Sequence, residues 1–172
     1  MRKLHIIMPM AGEGSRFLKE GWTTPKPLIE LDGVPLFKRA IGSVEIDGLD
    51  MKYSFIVRQE HIENYGIDAS IREILPEANI FSVEKTTRGA VETCLIAERA
   101  IADDDAVIVM DRDLEFRSKR FSELMQEVLN TSVEEANGGL LVSFESNLPR
   151  YSYAETDGSD RVVRTAEKEV IS

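Results

Sequence analysis

Residues 4–17 read LHIIMPMAGEGSRF, and this stretch decides how the N-terminal part of the chain folds. Residues 4–8 form an unbroken apolar run, as is typical of strands that are buried on both faces of a sheet. Pro9 ends the run, and Gly12 and Gly14 follow within a short loop. Glycines allow backbone N–H groups to approach a phosphate closely. The stretch therefore predicts a buried strand followed by a loop that suits a phosphate ligand.

Strand-like and helix-like patterns alternate along the rest of the chain. Strands are predicted at 28–31, 53–57, 79–83, 106–110 and 140–144, helices at 35–44, near 61, at 69–75, 89–101 and 121–129, and a β-rich end at 151–172. Turns are predicted at 32–33 and 157–158. The helix at 89–101 is predicted to have an apolar side made of Val91, Leu95, Ile96 and Ala97.

This alternation predicts βαβ units, and so a mostly parallel, Rossmann-like α/β sheet with helices on both faces. Ligands of such sheets bind beyond the carboxyl ends of the strands. The glycine loop follows the first strand, and the segment 111–116 follows the strand predicted at 106–110. Both segments are therefore expected at the ligand-binding edge of the sheet.

The composition limits the classes of function. The chain has 172 residues, of which 42% are hydrophobic, and this predicts one packed domain over 1–172. With 21 Lys and Arg against 31 Asp and Glu, the net charge is −10. Nucleic-acid and anionic-membrane binders need a basic face, so neither partner is expected. Phosphate ligands stay compatible with this charge, because a few local cations and a metal ion can hold them.

Few residues offer other chemistry. Cys94 is the only cysteine and is predicted to be a small buried apolar residue. His5 and His61 lack the spacing of zinc ligands. The apolar run at 4–8 is too short for a signal peptide or a membrane span. A cytoplasmic protein is therefore expected.

Two cationic residues accompany the glycine loop. Arg16 offers a planar fork of donors for phosphate oxygens, and Lys26 follows ten positions later between Pro25 and Pro27, which stiffen its turn. The glycines alone are a weak signal, because Phe17 replaces the third glycine of the dinucleotide motif and no Walker loop occurs. A flexible turn with ordinary surface charges is the alternative. The combination with Arg16 and Lys26 favours phosphate binding.

Two later segments add candidate residues. Gly89 stands at a predicted strand-to-helix corner, where a flat base or ribose could lie against the backbone, and Thr87 could equally be a helix cap. Asp111 and Asp113 follow an apolar strand, where carboxylates are typical ligands of Mg²⁺ beside substrate phosphates. Solvated loop charges are the alternative for these two residues, and the strand's carboxyl end favours the metal site.

The segment 12–17 (GEGSRF) followed by 25–28 (PKPL) resembles the signature of the sugar-phosphate nucleotidyltransferases. This family includes the nucleoside-diphosphate-sugar pyrophosphorylases and the bacterial phosphocholine cytidylyltransferases. The resemblance implies a GT-A-like fold in which Arg16 holds the leaving phosphates and Lys26 bridges the reacting phosphates. It also implies that the nucleotide is wrapped by the loop residues Met10, Ala11, Gly12, Gly14 and Ser15.

The resemblance extends to the downstream segments. It implies base or ribose contacts for Gly89 and Thr87. The family's Asp-x-x-Phe pattern is met by Asp113 and Phe116, which implies that Asp113 is the catalytic ligand of Mg²⁺ and that Asp111 supports it. Family members often carry a small or neutral residue where this chain has Arg112, so the chain departs from the pattern there.

Near the end of the chain, Glu167 and Lys168 resemble the family's Glu-Lys pair, which binds the hydroxyls and the phosphate of the acceptor. A surface ion pair is the alternative. Members of the family continue with further strands that supply a second metal-binding aspartate. The chain is therefore expected to hold the nucleotide-binding part and only the start of the acceptor-binding part, truncated at the C-terminus.

The resemblance implies transfer of a nucleoside monophosphate from a nucleoside triphosphate to a sugar-1-phosphate or similar small phosphate, with release of pyrophosphate. Such a reaction serves nucleotide-sugar and cell-surface polysaccharide synthesis. One alternative is a glycosyltransferase whose Asp-x-Asp metal motif would be 111–113, and another is a non-catalytic nucleotide-binding regulatory domain. The base, the acceptor and a homo-oligomeric state are left open by the sequence.

Overall fold

The computed structural model describes residues 2–14, 17, 19–132 and 138–171. The chain forms two compact units, Met1–Ala136 and Asn137–Ser172. This division does not test the prediction of one domain over residues 1–172, which stays a prediction. Within the described ranges, no helix combines the length and the apolar character needed to cross a membrane.

The first unit contains most of the regular structure. Its strands are β1 (Leu4–Pro9), β2 (Glu30–Leu31), β3 (Val34–Pro35), β4 (Met51–Arg58), β5 (Asn79–Val83) and β6 (Ala106–Val109). Its α-helices are α1 (Leu36–Val44), α2 (Gln59–Tyr65), α3 (Ile67–Ile74), α4 (Ala90–Leu95) and α5 (Lys119–Asn130), with 3-10 turns at Lys26–Leu28 and Glu98–Ala100. The second unit contains β7 (Ser152–Thr156) and β8 (Val162–Glu167).

A parallel four-stranded sheet organises the first unit, with the strand order β5-β4-β1-β6. β1 pairs in parallel with β4 on one side and with β6 on the other, so it lies in the middle of the sheet. All six residues of β1 are buried. The prediction of a mostly parallel α/β sheet is confirmed, and burial on both faces explains why the sequence of β1 does not alternate.

The larger part of the core lies on one face of the sheet. Leu4, Ile6 and Met8 of β1 point to this face, because alternate side chains of a strand point the same way. The helices α1, α3 and α5 cover this face with the side chains of Phe37, Ile41, Val44, Ile67, Ile71, Phe121 and Met125. The apolar residues of these helices have the spacing of amphipathic helices, so one apolar side of each helix packs on the sheet.

The opposite face is covered by α4 and the 3-10 turn that follows it, so helical segments lie on both faces, as predicted. The predicted single helix at 89–101 is wrong, because α4 ends at Leu95. Its predicted apolar side is also wrong in part, since Val91 is 77% exposed and Leu95 is 59% exposed. Ala97 is buried as predicted, and Thr93, which the prediction did not include, is buried as well. The short helix is rotated so that small side chains pack closely against the sheet.

The loop after the first strand leads into a small hairpin. The strand predicted at 28–31 is only partly formed, because a 3-10 turn occupies Lys26–Leu28 and β2 covers Glu30–Leu31. The predicted turn at Asp32 and Gly33 is confirmed, and both residues have positive φ angles of 54° and 73°. This left-handed pair is what a two-residue hairpin turn requires.

The second unit is built on an antiparallel hairpin of β7 and β8, in agreement with the predicted β-rich end. The strand predicted at 140–144 is wrong, because these residues have no regular secondary structure and their side chains are exposed. A strand needs a neighbouring strand to accept and donate its backbone hydrogen bonds. The apolar pattern at 140–144 supplies side chains for a strand but no such pairing.

The pKa of His5 predicts how the stability of the first unit depends on pH. His5 lies in β1, its Nε2 is 2.8 Å from Ser54 Oγ, and its side chain is fully buried. Burial lowers the pKa of His5 below 6.5, although the Asp105 carboxylate opposes that shift. The unfolded chain therefore takes up a proton at a higher pH than the folded chain does. We expect the free energy of unfolding to fall as the pH drops below about 6.5.

This prediction is checked by denaturant unfolding between about pH 7.5 and pH 5.5, where carboxylates with ordinary pKa values stay ionised. His5→Gln should reduce the pH dependence. His61→Gln serves for comparison with His5→Gln, because the pKa of His61 is also lowered mainly by burial. The two variants together show how the pH dependence is divided between the two histidines. An NMR titration in which the His5 ring protonates at its ordinary pKa would contradict the expectation.

Candidate functional site

Three loops and the start of one helix meet at the carboxyl edge of the parallel sheet, because each follows a strand that runs in the same direction. The loop after β1 is the glycine loop, and α2 begins directly after β4. The segment 84–89 follows β5, and the segment 111–116 follows β6. Apart from Glu167 and Lys168, the candidate ligand-binding residues that the structure describes lie in these loops or in the turn that holds Lys26.

The glycine loop leaves the sheet with its first residues buried. The side chains of Met10 and Ala11 are 0% and 3% exposed, and the Met10 backbone donates to the carbonyl of Ile56 at 2.7 Å. These two side chains pack in the core, so a contact of either residue with a nucleotide would have to use the backbone. Gly14 has a φ of +64°, which favours glycine. Ser15 and Arg16 lie outside the described residues.

Lys26 and Asp113 form an ion pair beside the glycine loop, although 87 positions separate them along the chain. The Lys26 ammonium group also lies 5.0 Å from the centroid of the Phe17 ring. A Cβ on Gly14 would lie 3.9 Å from the Cβ of Lys26, so the loop passes close to the lysine. The side chains of Lys26 and Asp113 are 21% and 33% exposed. Both therefore stay accessible to a ligand.

The segment 111–116 is anchored at its end. The Phe116 backbone donates to Ser43 Oγ at 2.9 Å, and the Phe116 ring lies edge-on to Phe121 at 5.2 Å between centroids. Glu115 pairs with Arg39 at 3.2 Å. The Phe of the Asp-x-x-Phe pattern therefore packs against the core and fixes the path of the backbone that carries Asp113.

The segment 84–89 is linked to the glycine loop by residues that the sequence analysis did not select. Thr86 Oγ1 donates to Glu13 Oε1 at 2.9 Å, and Arg58 Nη1 donates to Thr86 Oγ1 at 2.9 Å. Arg58 also pairs with Glu60 at 3.0 Å. A signal was available for Arg58, since a charged residue directly after an apolar strand lies at the ligand-binding edge.

Thr87 and Gly89 form the corner before α4. Gly89 is the residue that precedes α4, and Thr87 Oγ1 donates to the Gly89 carbonyl at 3.2 Å. The Thr87 side chain does not cap the helix, and Glu92 in its first turn accepts from the backbone of Arg88 at 2.5 Å. A Cβ on Gly89 would meet no atom within 4 Å, so the space beside this glycine is open. The corner is therefore accessible, as a base or ribose contact requires.

Glu167 and Lys168 lie in the second unit. Lys168 Nζ is 2.8 Å from Glu167 Oε1, and the side chains are 58% and 72% exposed for Lys168 and Glu167. The hydrogen bond from Lys168 lowers the pKa of Glu167. Glu167 lines a groove of about 870 Å³ between the hairpin and residues 141–146. The structure therefore brings the two residues together at the end of β8, beside a groove.

The oxygen ligands for a metal ion are few. Among the described residues, no group of three or more His, Cys, Asp or Glu side chains could hold a metal ion by itself. Mg²⁺ often takes only one or two carboxylates and completes its shell with substrate phosphates and water. Asp113 fits that requirement. Burial raises the pKa of Cys94 in α4, and the charge of Asp111 contributes to that rise.

No protein family model and no curated protein sequence matches the chain. Solved structures do match it. A nucleoside-diphosphate-sugar pyrophosphorylase from Vibrio cholerae RC9 is 26% identical, with a TM-score of 0.68 over 97% of this chain and 68% of that one. An inositol-1-phosphate CTP transferase from T. maritima is 15% identical, with a TM-score of 0.69 over 99% of this chain and 66% of that one.

A UDP-glucose pyrophosphorylase, solved with UDP-glucose, is 18% identical, with a TM-score of 0.61 over 98% of this chain and 70% of that one. The chain has the nucleotidyltransferase fold. The resemblance seen in the sequence is thereby confirmed, and these neighbours favour it over the glycosyltransferase and the regulatory domain. The chain spans about two thirds of the length of these nucleotidyltransferases.

The partial exposure of the ion pair of Lys26 and Asp113 leads to a prediction about the free energy of unfolding. Lys26→Met and Asp113→Asn should each change the free energy of unfolding by less than about 1 kcal/mol, because partly exposed ion pairs contribute little. Phe116→Ala should cost about 2 kcal/mol or more, because it removes a ring that packs against the core. Denaturant unfolding of the variants measures all these changes. A Lys26→Met protein that fails to fold would mean that Lys26 is a structural residue.

Proposed function

We propose that this chain is a nucleotidyltransferase that transfers a nucleoside monophosphate from a nucleoside triphosphate to a sugar-1-phosphate or a similar small phosphate. The observation that carries the proposal is the ion pair of Lys26 and Asp113 beside the glycine loop. It provides a cation for phosphate oxygens and a carboxylate for a metal ion at the edge where α/β sheets bind ligands. The nucleotidyltransferase fold of the chain supports the same reaction.

In this reaction a phosphate oxygen of the acceptor attacks the α-phosphorus of the nucleoside triphosphate. The bond from the α-phosphorus to the oxygen that bridges it to the β-phosphorus breaks, and pyrophosphate leaves with the electron pair. A phosphate monoester has its second pKa near about 6, so the attacking oxygen is largely ionised at neutral pH. No side chain is needed as a general base, and the protein contributes positioning and charge.

The residues divide this work. Lys26 neutralises charge on the reacting phosphates, and Arg16, in the same signature, would hold the leaving phosphates. The backbone of Met10, Ala11, Gly12, Gly14 and Ser15 would wrap the nucleotide, with Thr87 and Gly89 at its base or ribose. Substrate phosphates would draw Lys26 away from Asp113, because their charge exceeds that of one carboxylate.

Mg²⁺ is the metal ion that fits the oxygen ligands, and Asp113 would hold it. When bound, Mg²⁺ withdraws charge from phosphate oxygens and links the phosphates to the protein. Asp111 would support Asp113 from the start of the same segment. Release of Lys26 from the ion pair leaves the Asp113 carboxylate free to bind the ion.

The acceptor would be bound by Glu167 and Lys168, the carboxylate taking hydroxyl groups and the ammonium group taking the phosphate. The partners of the protein would thus be a nucleoside triphosphate and a small phosphorylated acceptor. We place the reaction in nucleotide-sugar synthesis for cell-surface polysaccharides, in the cytoplasm. The nucleoside-diphosphate-sugar pyrophosphorylase of Vibrio cholerae RC9 supports the nucleotide-sugar part of this assignment.

Pyrophosphate release tests the proposal directly. The protein is assayed with Mg²⁺ and the common nucleoside triphosphates against sugar-1-phosphates, inositol-1-phosphate and phosphocholine. We expect release with one pairing of substrates, and Lys26→Ala should lower kcat by about a hundredfold or more, because it removes a preorganised cation from the transition state.

Lys119→Ala is the matched control, since Lys119 is an exposed lysine at the start of α5. It should leave the rate unchanged. Circular dichroism checks that both variants are folded. The absence of pyrophosphate release across the whole panel would overturn the enzymatic function for this chain.

Glu167→Gln separates acceptor binding from nucleotide binding. The amide keeps the shape of the side chain but loses the charge, so hydrogen bonds to acceptor hydroxyls become weaker. We expect KM for the acceptor to rise about tenfold and KM for the nucleoside triphosphate to stay unchanged. Steady-state kinetics with each substrate varied in turn measures both. An equal rise in the two KM values would contradict the assignment of Glu167 to the acceptor.

A further inference from the structure

Arg112 is the residue at which the chain departs from the pattern of the family it resembles, and its position is unusual. It stands between Asp111 and Asp113 in the segment after β6, and its side chain points back to the glycine loop. A Cβ on Gly12 would lie 3.5 Å from Nη2 of Arg112 and 3.6 Å from Nη1. The Cζ atom is farther away, at 3.9 Å, so the outer edge of the guanidinium fork faces the space above Gly12.

Within the described part of the chain, the guanidinium group of Arg112 has no protein partner. In the described ranges, it forms no hydrogen bond or ion pair, and its Nε is buried without a hydrogen-bond partner. The neighbouring carboxylates have other partners, since Asp113 pairs with Lys26 and Glu13 accepts from Thr86. The buried Nε is costly, because it has lost water without gaining a hydrogen-bond acceptor among the described residues.

Several other groups around the same space carry charge. The Arg58 guanidinium lies 4.0 Å from the Glu13 carboxylate, and Arg58 is the residue that precedes α2. Burial is the main cause of the lowered pKa of His61, and the charges of Arg58 and Arg112 also lower it. Arg112 therefore lies beside the glycine loop, at the carboxyl edge of the sheet, and its charge acts on His61 in α2. A ligand placed against Gly12 would meet the fork.

We propose that Arg112 is a binding residue for the phosphate groups of the nucleoside triphosphate, which it contacts through its terminal nitrogens above Gly12. A phosphate offers pairs of anionic oxygens that match the guanidinium fork, and this would give partners to donors that have none among the described residues. The glycine loop brings backbone N–H groups to the same ligand. This inference rests on the proposed function, because it names a further contact of that site with its nucleotide.

The test is binding of nucleotide to the folded protein, measured by isothermal titration calorimetry with Mg²⁺. The ligands are the nucleoside triphosphate that the wild-type protein binds best, the corresponding nucleoside, and inorganic tripolyphosphate. We expect Arg112→Gln to weaken binding of the triphosphate and of tripolyphosphate about ten- to a hundredfold, as for loss of hydrogen bonds to a charged group. Binding of the nucleoside should stay unchanged.

Arg112→Lys keeps the charge but loses the fork, so its affinity should fall between those of the wild-type protein and Arg112→Gln. Arg120→Gln is the control, because Arg120 pairs with Glu123 and Glu127 on α5. It should bind all three ligands as the wild-type protein does. Thermal unfolding followed by circular dichroism shows whether each variant is folded at the temperature of the titration.

The outcomes separate this inference from the proposed function. Unchanged triphosphate binding by Arg112→Gln, or equal weakening of nucleoside and triphosphate, would overturn the role of Arg112 and leave the enzyme assignment intact. Selective weakening in a protein that binds nucleotide but releases no pyrophosphate would support Arg112 and overturn the catalytic function. A wild-type protein that binds none of the three ligands would overturn both.

Discussion

The pairing of β1 with two parallel neighbours is the constraint on which the site depends. β1 lies between β4 and β6, and both of its faces are buried. The Met10 backbone donates to the Ile56 carbonyl at 2.7 Å, and the Met110 backbone donates to the Ile7 carbonyl at 3.0 Å. The ladder thus continues just past the strand ends. The glycine loop and the segment 111–116 therefore begin side by side, and backbone hydrogen bonds fix where each of them leaves the sheet.

Charge at this edge is local and does not follow the charge of the whole chain. The chain carries a net charge of −10, yet Lys26, Arg58 and Arg112 surround the glycine loop. The partners of these three cations differ. Lys26 pairs with Asp113, and Arg58 donates to Thr86 and Glu60. The Arg112 guanidinium has no partner within the described part of the chain. Anion binding at short range is decided by such contacts, because charges beyond about 10 Å are screened by salt.

Periodicity predicted the elements of the first unit well because each long apolar run has one stable way to be buried. The strand at Asn79–Val83 and the turn at Asp32 and Gly33 agree with the structure. Periodicity gave wrong predictions where the outcome depended on the pairing of a strand or on the rotation of a helix about its axis. Residues 140–144 have the pattern of a strand without a paired strand. Val91 and Leu95 have the spacing of an apolar helix side, but close packing favours the smaller Thr93.

The sequence by itself determined the type of sheet and the candidate ligand groups, because the apolar runs and the glycine and proline spacing are local properties of the chain. Only the tertiary structure decided which of those groups meet. The pairing of Lys26 with Asp113 joins residues 87 positions apart, and the approach of Arg112 to Gly12 joins the ends of two strands. Such contacts depend on strand order and register, which follow from packing the whole core and not from any one segment.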